Sequence, residues 1–71
     1  MFIKLTLVND DPIWVNVYSI ITIERLGEGS MINVRRSRDT QQLVVKEVPD
    51  KIIYIMAENN EKIFRPYWGG R

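Results

Sequence analysis

Alternation on a two-residue period, interrupted every few residues by turn chemistry, is the feature that most constrains this chain. Phe2 to Val8 sets Ile3, Leu5 and Leu7 on one face and Lys4 and Thr6 on the other. In an extended strand successive side chains point to opposite faces, so this run reads as a half-buried strand. Asn9-Asp10-Asp11-Pro12 ends it, because the residue before a proline is pushed extended and Asn and Asp favour turns. Ile13 to Val17 alternates again, with Ile13, Val15 and Val17 on one side and Trp14 and Asn16 on the other, which predicts a hairpin.

Three further runs follow. Ile20 to Leu26 is rich in β-branched residues, and its mixed phase predicts a bulge or single turn near Ser19. Gly27-Glu28-Gly29-Ser30 reads as a tight loop. Met31 to Arg36 directs Ile32 and Val34 inward, with Asn33 and Arg35 outward; Ser37 to Thr40 turns the chain, and Gln42 to Glu47 directs Leu43 and Val45 inward.

After Pro49 two readings stay open. Proline suits the first helical position, Asp50 favours a helix N-terminus, and Ile52, Ile55, Met56 and Asn59 share a helical stripe. Ile53, Ile55 and Ala57 also alternate, and Glu58-Asn59-Asn60-Glu61 could turn a C-terminal β-hairpin into Lys62-Ile63-Phe64. A helix over Pro49–Asn59 is the favoured reading, and with Ile53 and Tyr54 it is apolar nearly all round, which asks for burial on more than one side.

The fold expected is therefore mainly β: a five-stranded antiparallel meander, bent into an SH3-like or open barrel, with one C-terminal helix across it. It spans residues 1–62 as a single domain, with 63–71 as an aromatic tail. The expected core is Ile3, Leu5, Leu7, Ile13, Val15, Ile23, Ile32, Val34, Leu43, Val45, Ile52 and Ile55 or Met56. At 71 residues the core is thin, since a domain of this size buries about 60% of its unfolded surface. Cysteine and histidine are both absent, which removes disulfides and the commonest metal ligand and leaves oligomerisation as the route to extra stability.

Several residues and motifs together resemble the small flagellar FlbD and swarming-motility SwrD family. They are Ile3-Lys4-Leu5-Thr6, Asn9, Val15-Asn16, Ile20, Ile23-Glu24, Met31-Ile32, Val44-Val45-Lys46-Glu47 with Pro49, and Ile52-Ile53. The resemblance runs from Phe2 to Met56. It implies support of flagellar motor output or swarming by binding another protein, and it brings no catalytic residues. The chain departs from the family at Asp10-Asp11-Pro12, at Val48 where the family caps its helix with serine, in the loop 37–42 and in its aromatic tail. These departures leave room for a phage or mobile-element relative with a different role.

No residue pattern points to an enzyme. Glu24, Glu28, Asp39, Glu47 and Asp50 form no marked pair and have no histidine or cysteine beside them, so they read as solvated acids. Gly27-x-Gly29-Ser30 lacks the lysine and the strand-to-helix setting of a phosphate loop. No cofactor, metal or small-molecule substrate is expected. No stretch approaches the ~20 apolar residues of a membrane span, and no secretory signal is visible, so a cytoplasmic location is the expectation.

Two features remain for contact. Trp14 on the outer face, Tyr54 on the helix, and Phe64, Tyr67 and Trp68 in the tail are residue types enriched at interface centres, although they could equally cap the core. They point to a non-catalytic module that binds another protein and itself. Arg35-Arg36-Ser37-Arg38 is the one basic cluster, which Arg25 and Lys46 would join if strands three to five are neighbours. With an aromatic it could bind single-stranded nucleic acid or RNA. With a net charge of only +1, the plainer reading is a charged hairpin tip that blocks edge pairing.

Overall fold

The computed structural model describes residues 1–59. They form five antiparallel strands in two sheets and one helix. The first sheet pairs β1 (Phe2–Thr6) with β2 (Pro12–Asn16); the second has the order β3 (Ile20–Leu26), β4 (Gly29–Arg36), β5 (Asp39–Val45). The helix α1 covers Pro49–Asn59. This settles the segment after Pro49 as helix and rules out a hairpin there. The expected boundary at residue 62 lies outside the described residues.

The turns are shorter than the sequence suggests. Between β1 and β2 the Asp10 N–H donates to the Leu7 carbonyl at 2.9 Å, and the Leu7 N–H donates to the Asp11 carbonyl at 2.8 Å. Asp10 has φ 75°. A three-residue loop with its last residue in the left-handed region is a common hairpin connection, and aspartate tolerates that conformation better than most residues. The Asn9 side-chain oxygen accepts from the Asp11 N–H at 3.0 Å and fixes the loop.

The β3–β4 turn uses only Gly27 and Glu28, since Leu26 already pairs with Gly29. Gly27 holds φ 59°. Ser37 and Arg38 alone turn β4 into β5, and Asp39 and Thr40 belong to the strand, because Arg36 pairs with Asp39. The expected irregularity at the start of the third strand is present as a register shift between Ile20 and Thr22. Before it, Val17–Ser19 forms one turn of 3-10 helix, capped by the Asn16 side chain accepting from the Tyr18 N–H.

The two sheets join at one corner. Leu7 bridges to Val45, and the Lys46 N–H donates to the Thr6 carbonyl at 2.8 Å. Just beyond, the Ser30 hydroxyl, fully buried, donates to the Glu47 carbonyl at 2.6 Å. No strand pairing joins β2 to β3, so the barrel is open on that side.

The core is Ile3, Leu5, Val15, Val17, Ile32, Val34, Val45, Ile52 and Met56, with Leu7, Ile13, Ile23, Leu43 and Ile55 packed partly buried around it. Met56 rather than Ile55 completes the helix stripe, because Ile52 and Met56 are one turn apart and both face the sheets. Proline at the first helical position and Asp50 in the first turn begin α1, which packs against β1 and β3. Burial on more than one side of α1 is not found: Ile53 and Tyr54 are exposed.

Candidate functional site

Alternation along β1 and β2 decides what the first sheet shows to solvent. Ile3, Leu5 and Val15 enter the core, so Phe2, Lys4 and Trp14 must face out. Phe2 is 63% exposed and Trp14 59%. Lys4 lies opposite Trp14 in the register, with its Nζ 5.8 Å from the centre of the indole, within reach of a cation–π contact.

At this end the far tip of β4 comes close to β2. Trp14, Phe2, Arg35 and Arg36 line one open cleft of about 280 Å³, together with Ile13, Val34 and Leu43. No carboxylate lines it. Arg35 and Arg36 make no ion pair with a described residue; the only pair among the described residues is Lys46–Asp10 at the opposite end. The cleft thus combines flat apolar surface with two uncompensated guanidinium groups, a pairing suited to gripping an anionic, partly apolar ligand.

The structure sorts the expected contact residues. Trp14, Arg35 and Arg36 are together; Arg38 sits in the adjoining turn and is exposed. Arg25 does not join them. Strands β3 to β5 are neighbours, but Arg25 pairs with Ser30 at the start of β4, about 17 Å from Arg35 at ~3.3 Å per residue. Lys46 lies near that same remote end and is taken by Asp10. Tyr54 is exposed on α1, away from the cleft, with its hydroxyl donating to the Glu58 carboxylate at 3.1 Å. That hydrogen bond, with the negative charge behind it, holds the Tyr54 phenol above its ordinary pKa. Phe64, Tyr67 and Trp68 lie outside the described residues.

Phe2 is the site residue that sequence reading passed over. The signal was present, since the alternation that exposes Lys4 exposes Phe2 as well. A second apolar patch, formed by Val8, Leu26 and Val44, lines a cavity of about 430 Å³ at the other end of the molecule. Among the described residues no group of three acidic, histidine or cysteine side chains could hold a metal ion. No described helix is long and apolar enough to cross a membrane. No protein-family model, curated protein or solved structure matches the chain.

Proposed function

We propose that this chain is a non-catalytic protein-interaction module whose contact surface is the cleft between β2 and the β4–β5 tip. The observation that supports it is the joint lining of one open cleft by Trp14, Phe2, Arg35 and Arg36. Tryptophan and arginine are the residues that most often dominate binding energy at protein interfaces. Exposed Ile53 and Tyr54 on α1 add a second contact face and support self-association. The resemblance to the FlbD and SwrD family makes a motor- or swarming-associated protein the first partner to try. A phage-encoded accessory role is the variant of this reading for a divergent relative.

Sedimentation velocity over a wide concentration range tests it. The expected result is a dimer or larger species, with W14A or Y54A dissociating it or abolishing capture of a partner. A monomer at every concentration, with W14A unchanged in all binding assays, overturns the reading.

Binding of single-stranded nucleic acid is the second reading, favoured by the same meeting of an indole and two arginines. It requires a gel shift that weakens steeply with salt. No shift with an oligothymidylate at low salt removes it.

A further inference from the structure

We infer that the cleft receives an extended acidic segment of a partner protein, added as a further strand to the free edge of β2. This rests on the protein-interaction reading and names the kind of partner it would take.

The edge comes first. Antiparallel pairs alternate between those that exchange backbone hydrogen bonds and those that do not. The Val17 N–H donates to the Met1 carbonyl and the Leu7 N–H to the Asp11 carbonyl, both at 2.8 Å. Between them Ile3 pairs with Val15 and Leu5 with Ile13, in the same phase. The backbone of Ile13 and Val15 therefore turns toward β1, and the Trp14 N–H and C=O and the Asn16 N–H turn outward, while the Asn16 carbonyl, at the N-cap of the 3-10 turn, is taken by that turn. No described strand pairs with that side of β2.

Of the other three sheet edges, those of β1 and β5 meet each other at the Leu7–Val45 bridge, and that of β3 is different from that of β2. β3 carries a register shift at Ile20/Thr22 and the charged pair Glu24-Arg25. Bulges and charges are devices that keep an edge from pairing. On β2 only Pro12, at the strand's first residue, acts in this way. The Trp14 N–H and C=O and the Asn16 N–H are left as a short template for a main chain, and peptide recognition by strand addition uses such an edge.

The charge of the occupant follows from the opposite wall. Arg35 and Arg36 line the same cleft as Trp14 and Asn16, and no carboxylate does. Asp39 stands opposite Arg36 in the register, yet no ion pair closes between them. An added strand with acidic side chains on one face and apolar ones on the other would meet the arginines with the first and the Phe2–Trp14 surface with the second. The chain's own residues 60–71 do not match, since they carry Lys62, Arg65 and Arg71 against Glu61 alone. β2 of a second copy, Pro12–Asn16, carries no acidic residue.

The test uses the full 15N-labelled chain and short synthetic peptides. An alternating Glu-Val peptide should shift the Trp14 and Asn16 amides and protect them from hydrogen exchange. A Lys-Val peptide should bind at least about tenfold more weakly, and the double variant R35E/R36E should lose the Glu-Val peptide by a similar factor. N-methylation of alternate amides in the Glu-Val peptide should abolish binding in the register where those amides face β2. Binding that survives N-methylation in both registers overturns strand addition. So does protection of the two amides by an oligothymidylate but not by the peptide, or their protection by rising protein concentration alone. If no peptide binds while W14A still alters assembly or partner capture, the docking mode falls and the interaction module stands. If W14A is also silent, both fall.

Discussion

The Glu47 carboxylate holds Thr6 at two points, accepting from its backbone N–H at 3.0 Å and from its hydroxyl at 2.9 Å. The carbonyl of the same Glu47 is held by buried Ser30. One residue in the β5–α1 connection thus ties β1, β4 and the helix start together at the corner where the two sheets meet. Hydrogen bonds to a charged acceptor contribute about 1.5–3 kcal/mol each, less where water reaches them as here. E47A should cost about 2 kcal/mol, which in a domain of this size lowers Tm by roughly 10 °C. T6V, which keeps the backbone N–H, should cost about half as much. Urea titration at neutral pH measures both.

Gly29 and Gly27 are two residues apart, and the structure asks different things of them. A Cβ on Gly29 would stand 2.2 Å from the backbone oxygen of Val45, so the β4–β5 pair would have to spread. A Cβ on Gly27 meets nothing within 4 Å; only its φ of 59° resists. G27A should cost about 1–2 kcal/mol, the penalty of the left-handed conformation. G29A should cost more, or prevent folding. G27N should recover part of the G27A loss, because asparagine tolerates left-handed φ. A fold no less stable with G29A than with G27A would contradict the pairing at that corner.

On α1 adjacent isoleucines have opposite fates. Ile52 is fully buried and Ile53 is exposed. I52A should cost about 2–5 kcal/mol, and I53A should stay within about 0.5 kcal/mol. Equal losses would mean that both faces of the helix are covered.

The Tyr54 phenol is raised first by its hydrogen bond to Glu58 and then by the Glu58 charge. A raised phenol pKa favours the protonated form in the folded state. Its contribution to stability is therefore complete below the unfolded phenol pKa and disappears as pH climbs through the folded value. Ultraviolet titration should show one phenol ionising later in the parent chain than in E58A. Identical curves would mean that the contact does not persist in solution.

Much of this was legible from residue order. Alternation in Ile3-Lys4-Leu5 and in Ile32-Asn33-Val34 fixed which side chains are buried, because a strand leaves no freedom in the matter. Pro49 and Asp50 marked the start of α1. Turn lengths were harder to read, since Gly29-Ser30 and Asp39-Thr40 look like loop residues until register places them opposite Leu26 and Arg25 and opposite Arg36 and Arg35. The Glu47–Thr6 contact was invisible because it spans 41 residues. The cleft was half legible. Its indole and its arginines stood out separately, yet nothing local says that residues 14 and 35 meet while residues 25 and 35 do not.

That corner also has a consequence for how the chain emerges during synthesis. The β1–β2 hairpin is complete by residue 16, but a lone two-stranded hairpin is marginal in water. Its lasting partners, Val45 to Glu47, arrive some thirty residues later, or a few seconds at translation speeds of roughly 5–20 residues per second. Until then Leu5 and Val15 lack part of the core that covers them, and the first sixteen residues depend on the ribosome finishing the rest.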